Sequence, residues 1–203
     1  MRYAKQLGLI AIAIVGSMVF AATASAATKG TDSAGGSTVE VLDTIHASSS
    51  ADTELDGTIN VTCKKSTIGG VVTNSGSGIT ITTVAVETLT LEECGSNTVA
   101  VVRKGTLDVE TDGAQSDGNG EFRSYNAEIT VLTHNILGTV HCIYVTNGTD
   151  IGKLDGSNNT GGTATLTVDS VPIPRTSTDF GCGSTSELTA EYTVSTPDYL
   201  AID

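Results

Sequence analysis

Three histidines, His46, His134 and His141, are the residues best suited to acid–base or metal chemistry in this chain of 203 residues. None lies in an H-E-x-x-H metal motif, and no G-x-S-x-G segment supplies a serine nucleophile. Each falls in or beside an alternating run typical of a strand, so we interpret all three as exposed strand residues. The histidines therefore predict no catalytic site.

Paired carboxylates are a second source of chemistry, as in Glu92–Glu93 and in the series Asp108, Glu110 and Asp112. Glycosidases use two carboxylates, but they also need a platform for the sugar, which is usually aromatic. Aromatic residues make up 4% of the chain and tryptophan is absent. The composition disfavours a glycosidase and a lectin that stacks on sugar rings, and we expect no enzyme. A secreted hydrolase is the remote alternative.

One segment imitates a calcium loop. Asp117, Asn119, Glu121 and Glu128 occupy positions one, three, five and twelve of such a loop. Phe122, however, stands where an EF-hand needs glycine for its sharp turn, and no helices are expected on either side. We interpret the segment as a hairpin turn and predict no metal or cofactor, although the sequence leaves calcium binding at 117–128 open.

Four cysteines, Cys63, Cys94, Cys142 and Cys182, complete the reactive side chains. Their even number and the absence of a C-x-x-C pair favour two disulfides over zinc or a thiol nucleophile. Four cysteines allow three connectivities, and their spacing alone does not choose among them.

The N-terminal residues indicate the compartment. Arg2 and Lys5 precede an apolar run over 7–20, and Ala24–Ala26 has the small residues of a cleavage site. This layout is typical of a secretory signal peptide, here residues 1–26, and the apolar run is shorter than a membrane span. We therefore expect a secreted protein, extracellular or associated with the cell surface, with no stable membrane insertion.

The net charge of the chain is −13. Nucleic acid and anionic lipid are repelled by such a charge, so we expect no nucleic-acid partner. The charge predicts solubility and identifies no partner.

Beyond the leader, apolar residues recur at every second position between polar ones, and β-branched residues dominate. The runs are Ile59–Cys63, Ile79–Ile81, Leu89–Leu91, Leu107–Val109, Ala127–Val131, Val140–Tyr144, Ala164–Val168 and Leu188–Val194. Turn signals separate them, including Asn147-Gly148 after the third cysteine. The pattern predicts an all-β fold, an antiparallel β-sandwich or a barrel-like sheet.

The domain organisation follows from composition. Residues 27–50 form a small, polar, flexible lead-in with a candidate strand at Thr38–Ala47, and residues 51–203 form a single β domain. The candidate strand is expected either to close its own sheet or to add to the edge of a neighbouring molecule, which would cause self-association.

Two parts of the domain resemble each other, which allows an internal duplication over 57–111 and 138–200. "GTINVTC" and "GTVHC" each precede polar turns, an alternating run, a second cysteine beside glycine, and a further strand. This parallel suggests the pairs Cys63–Cys94 and Cys142–Cys182. Chance similarity within a threonine-rich β protein is the alternative.

The segments "TDIGKLDGSNNTGGTATLTVDSVPIPR" and "FGCGSTSELTAEYTVSTPDYLAID" resemble an uncharacterised family of secreted actinobacterial β-proteins. That family shows a similar "GTDIG" segment and ends near "YTVxTPD", but it commonly has a tryptophan in the final strand, where this chain has Leu188-Thr189-Ala190. The cysteine-bounded strands are also similar in layout to the secreted alkane oxidation activator of Pseudomonas. The first resemblance implies a secreted β fold, and the second implies a role in hydrocarbon uptake.

Together these features favour an exported, non-enzymatic β protein that acts at or beyond the cell surface as a structural or interaction module. The alternative function is a surface factor that assists uptake or emulsification of hydrophobic compounds such as alkanes. That alternative requires an apolar face or cavity larger than the core needs.

Overall fold

The computed structural model describes residues 30–31, 39–76, 82–111, 118–135, 138–156, 162–198 and 200–202. The predicted signal peptide, residues 27–29 and 32–38 of the lead-in and the Ile79–Ile81 run lie outside the described residues. Within them the fold is all-β, as predicted, and contains no helix. No described helix is therefore long and apolar enough to cross a membrane.

Thirteen strands make up the part of the fold that the structure describes. In chain order they are β1 (Gly30–Thr31), β2 (Thr44–Ser49), β3 (Thr53–Asp56), β4 (Val61–Cys63), β5 (Lys65–Ser75), β6 (Thr82–Glu92), β7 (Thr98–Arg103), β8 (Thr106–Thr111), β9 (Gly120–Asn135), β10 (Gly138–Asp155), β11 (Thr165–Pro174), β12 (Thr185–Thr196) and β13 (Ala201–Ile202).

Eight of these strands form a closed antiparallel ring. Its order is β11-β10-β9-β8-β6-β5-β2-β12, and β12 pairs with β11 to complete the circuit. The same sheet includes β3, β4 and β7, while β1 pairs separately with β13. The structure is thus barrel-like, which is one of the two architectures that the alternation allows.

Strand β2 is an integral part of the ring. One of its edges pairs with β5 and the other with β12, so both rows of backbone hydrogen-bonding groups are occupied. Gly30–Thr31 also pairs with the last strand. The segment that the sequence sets apart as a lead-in therefore contributes strands to the fold.

The period-two pattern corresponds to the burial of alternate side chains. Ala127, Ile129 and Val131 on β9 point inward, with exposed fractions of 1–6%. Two groups of buried side chains result. One lies around Val72, Phe122 and Leu154, and the other around the four cysteines with Leu55, Val61, Ile129, Val131, Val140, Tyr144 and Ile173.

Two disulfides join Cys63 to Cys94 and Cys142 to Cys182, and the described residues contain no free cysteine. This is the pairing that the internal parallel suggests. The first bond joins residues that flank the β5–β6 hairpin, whereas Cys142 lies within β10 and Cys182 in the loop that follows β11. The internal duplication stays a prediction.

The prediction of a hairpin turn at Asn147-Gly148 is wrong. Strand β10 continues through these residues, and its register against β9 shifts there to form a β-bulge. Asn147 Oδ1 accepts hydrogen bonds from the Thr149 amide at 3.3 Å and from the Thr149 hydroxyl at 3.2 Å. Gly148 has a φ of +84° and lies against the Tyr125 ring. Local turn chemistry therefore bends the strand without reversing it.

Candidate binding cavity

The described histidines and carboxylates do not converge on a catalytic site. His46, His134 and His141 are all exposed, on β2, β9 and β10 respectively. The register places His134 diagonally across from His141, since His134 faces Thr139 and Leu132 faces His141. Within the described part of the chain, no group of three or more His, Cys, Asp or Glu residues is placed to hold a metal.

The carboxylates instead pair with basic residues. Glu110 Oε1 lies 2.6 Å from the Arg123 guanidinium, and Glu93 forms an ion pair with Lys65. Asp108 faces Arg123 across the β8–β9 ladder, while Asp112 lies outside the described residues. Of the described carboxylates that the sequence groups together, Glu93 and Glu110 are ion-paired. Glu92 faces Lys65 in the register, as Asp108 faces Arg123.

The calcium-loop pattern does not form a ligand set. Glu121 and Glu128 lie in the same continuous strand, β9, seven residues apart, which places them roughly 23 Å from each other. Glu128 accepts a hydrogen bond of 2.8 Å from Arg103 Nε. Asp117 lies outside the described residues. Two carboxylates this far apart cannot ligate one ion, and residues 120–128 of the segment belong to β9 instead of a turn.

The feature with most potential for binding is a seam in the barrel wall between β6 and β7. Strand β6 pairs with β8 only through Thr82–Ala85, and β7 pairs only with β9. Beyond Val86 the outer edge of β6 therefore has no ladder partner within 82–111. Both ends of the seam are closed, one by the loop that carries Cys94 and the other by a hydrogen bond of 3.1 Å from the Val86 amide to the Gly105 carbonyl.

Behind the seam lies a cavity of about 70 Å³, which we call the seam cavity. It is lined by Thr53, Ile68, Val86, Leu89, Leu91, Lys104, Leu107, Phe122, Ser124, Ala127, Ile129, Thr146, Val168, Ile173, Leu188 and Tyr192. Val86, Leu89 and Leu91 point into the barrel but are only half-buried. Apolar side chains of the interior are thus left with unfilled space beside them.

A second, smaller space of about 40 Å³ adjoins the first, and we call it the end cavity. Ile68, Leu107 and Phe122 line both spaces and form the partition between them. Rotation of these three side chains would join the two volumes into one elongated apolar channel.

The polar side chains around the seam cavity mostly satisfy one another. Ser124 Oγ lies 3.0 Å from Thr146 Oγ1, and Tyr192 Oη lies 2.8 Å from Ser66 Oγ. Burial raises the pKa of the Tyr192 phenol, and its hydrogen bond with Ser66 offsets only part of that effect. The Thr53 hydroxyl also lowers this pKa, although its Oγ1 makes no hydrogen bond of normal geometry. The interior is therefore neutral and largely apolar.

A different surface feature is the loop 175–184 between β11 and β12, whose Phe180 side chain is 97% exposed. The loop is fastened to β10 at several points. Asp179 Oδ2 accepts a hydrogen bond of 3.0 Å from the His141 amide, and Ser177 Oγ accepts one of 3.2 Å from the Ile143 amide. The Cys142–Cys182 disulfide adds a covalent link. The loop thus presents an aromatic side chain from a firmly held backbone.

Comparison of the chain with protein-family models, with curated proteins and with solved structures found no match. The resemblances noted from the sequence therefore stay predictions, and the functional argument depends on the geometry alone.

Sequence reasoning missed both the seam and Phe180. The alternation identifies Val86, Leu89 and Leu91 as inward-facing or strand residues, but it does not determine which strand pairs with each edge of β6. Phe180 stands in the segment "TDFGCG", and the adjacent glycines and cysteine were the available signal of a constrained loop.

Proposed function

We propose that this protein is an exported, non-enzymatic binding module that acts at or beyond the cell surface, and that its barrel accommodates a slender apolar molecule. The single observation that carries the proposal is the seam cavity, an apolar space behind an unpaired stretch of the barrel wall. Two disulfides are compatible with an oxidising, extracellular location.

The chemistry of the lining supports an apolar ligand. Ligand sites are typically concave and mostly hydrophobic, with a few polar groups. Here the polar pairs Ser124–Thr146 and Ser66–Tyr192 already satisfy each other. A ligand that displaced either pair would lose those hydrogen bonds, whereas an apolar chain would fill the unoccupied space without that cost.

The size of the space restricts the shape of the ligand. A dry apolar cavity of about 150 Å³ binds benzene. The seam cavity and the end cavity are smaller, at about 70 and 40 Å³, and adjoin at Ile68, Leu107 and Phe122. An unbranched hydrocarbon chain therefore fits better than a ring.

A cavity-filling variant tests the proposal. Ala127 lines the seam cavity and is 5% exposed, so Ala127→Leu should occupy the space. Ala100→Leu is the matched control, because Ala100 lies on neighbouring β7 and is exposed. We expect 1-hexanol to raise the melting temperature of the wild-type and Ala100→Leu proteins in a concentration-dependent way, and Ala127→Leu to abolish the effect. Absence of any effect in the wild type would reject the proposal.

A second candidate function is recognition of another protein through Phe180. An exposed aromatic on a fixed loop loses little conformational entropy on binding and is typical of interface anchors. Labelled wild-type protein and Phe180→Ala should then differ in retention by washed producing cells, while Val102→Ala, which removes another exposed apolar side chain, should not. Equal retention of all three would eliminate this function.

A further inference from the structure

Lys104 is the charged residue that lines the seam cavity. It follows β7 directly, and its ammonium group donates a hydrogen bond across the seam to the Glu87 carbonyl on β6. The side chain is exposed, so its aliphatic stem borders the cavity while its charge stays in water. Lys104 therefore lies at the mouth of the cavity, at the end of the seam that the Val86–Gly105 hydrogen bond closes.

Among the residues that the structure describes, no carboxylate pairs with the ammonium of Lys104. The four ion pairs among the described residues involve Lys64, Lys65, Arg103 and Arg123, with Lys104 absent from them. The neighbouring Arg103 is already paired with Glu128. A neutral backbone carbonyl is a weaker partner for a cation than an anionic oxygen, since the anion adds the attraction between two opposite charges.

We infer that the ligand of the seam cavity is an unbranched chain with an anionic headgroup, such as a carboxylate, which Lys104 holds at the mouth while the chain lies inside. The inference rests on the proposed function of the cavity and names the ligand class. An anionic headgroup at the mouth would replace the Glu87 carbonyl as the partner of the Lys104 ammonium. It would leave the Ser124–Thr146 and Ser66–Tyr192 hydrogen bonds intact.

The acidic character of the chain does not prevent this arrangement. The net charge of −13 is spread over the surface, and at physiological salt charges farther than about 8 Å are largely screened. Glu87 is the exposed carboxylate nearest in sequence to the contact, and its backbone, not its side chain, meets Lys104. Lys104 therefore determines which headgroup is preferred, and the cavity supplies the affinity for the hydrocarbon part of the ligand.

The test compares ligands of one chain length by calorimetry on the full disulfide-bonded protein. Hexanoate should bind about two- to fivefold more tightly than 1-hexanol, and cyclohexanecarboxylate should bind more weakly than hexanoate. Lys104→Met keeps an unbranched apolar stem and removes the charge. The affinity of this variant for hexanoate should therefore fall to its affinity for 1-hexanol. Lys153→Met, at an exposed lysine on β10, is the control and should leave both affinities unchanged.

The outcomes separate this inference from the proposed function. If 1-hexanol binds and hexanoate binds no more tightly, or if Lys104→Met keeps the preference for hexanoate, the headgroup inference is overturned while the cavity retains its function. If neither compound binds, both fail together. Raising the salt concentration to about 1 M should weaken the binding of hexanoate and leave the binding of 1-hexanol unchanged, because salt screens only the ionic contact.

Discussion

Cys142, in the first half of β10, is bonded to Cys182 in the loop that leads into β12, across a sequence separation of 40 residues. The bond and the hydrogen bonds from β10 to Asp179 and Ser177 hold that loop along the edge of β10. The edge of β10 that β11 leaves unpaired in this region is thereby covered by the loop.

Replacing both Cys142 and Cys182 with alanine should lower the free energy of unfolding by about 3–4 kcal/mol. The reason is that the unfolded variant is no longer constrained by the bond, which spans a sequence separation of 40 residues. Urea unfolding under oxidising conditions measures the change. The loop 175–184 should also become the first site of proteolytic cleavage. A double variant with unchanged stability would show that the loop is held by its hydrogen bonds alone.

Gly148 should tolerate no side chain. A Cβ at this position would lie 1.9 Å from Cε1 of Tyr125, in addition to the strain of a φ of +84°. Gly95 is the matched control, with a φ of +69° and no atom within 4 Å of its added Cβ. Gly95→Ala should cost about 1–2 kcal/mol from backbone strain alone, and Gly148→Ala should cost about 1–3 kcal/mol more. Equal losses in thermal unfolding would contradict the close packing of the bulge.

Tyr192 should make the protein sensitive to alkali. Its burial raises the pKa of the phenol in the folded state, so the folded protein retains a proton that the unfolded chain releases near pH 10. The stabilisation is complete below about pH 10 and is lost as the pH rises from there through the folded pKa.

Tyr192→Phe tests this dependence. It should cost about 1–2 kcal/mol at neutral pH, because the buried Ser66 hydroxyl loses its partner. Above about pH 10 the variant should lose less stability than the wild type. Some dependence should persist, since burial also raises the pKa of Tyr144. Parallel losses for the two proteins on the alkaline side would exclude Tyr192 as a cause.

Deletion of residues 27–50 should unfold the barrel and leave no stable monomer. The deletion removes β2, which pairs with β5 on one edge and with β12 on the other. Self-association through β2 would require this strand to leave both of its neighbours. We therefore expect that β2 causes no polymerisation and that the full-length protein sediments as a monomer. A truncated chain that folds as a stable monomer, beside a full-length polymer, would instead establish strand donation.

The sequence predicted the fold class because burial of alternate residues is a local property of each strand. Ala127, Ile129 and Val131 follow the pattern and are buried. The cysteine pairing followed from the similar surroundings of Cys63 and Cys142. Asn147-Gly148 was misleading, since its turn chemistry is equally compatible with a bulge inside a long strand.

The seam could not be predicted from the sequence, because it depends on contacts between distant segments. Strand β9 pairs with β8 along Gly120–Tyr125 and with β7 along Glu128–Leu132, and only this division leaves the second half of β6 without a partner. The chain between β6 and β7 is short, and its composition suggests an ordinary hairpin. The free edge, and with it the cavity, results from the ring order.

Methyl NMR during a titration with hexanoate tests the central claim most directly. The account predicts saturable shifts at Leu89, Leu91 and Leu188, which line the seam cavity, and none at the exposed Val41 and Val102. Ala127→Leu should suppress the shifts, and Ala100→Leu should not. Shifts confined to the exposed valines, or no saturable shift at any methyl group, would contradict a binding cavity in the barrel.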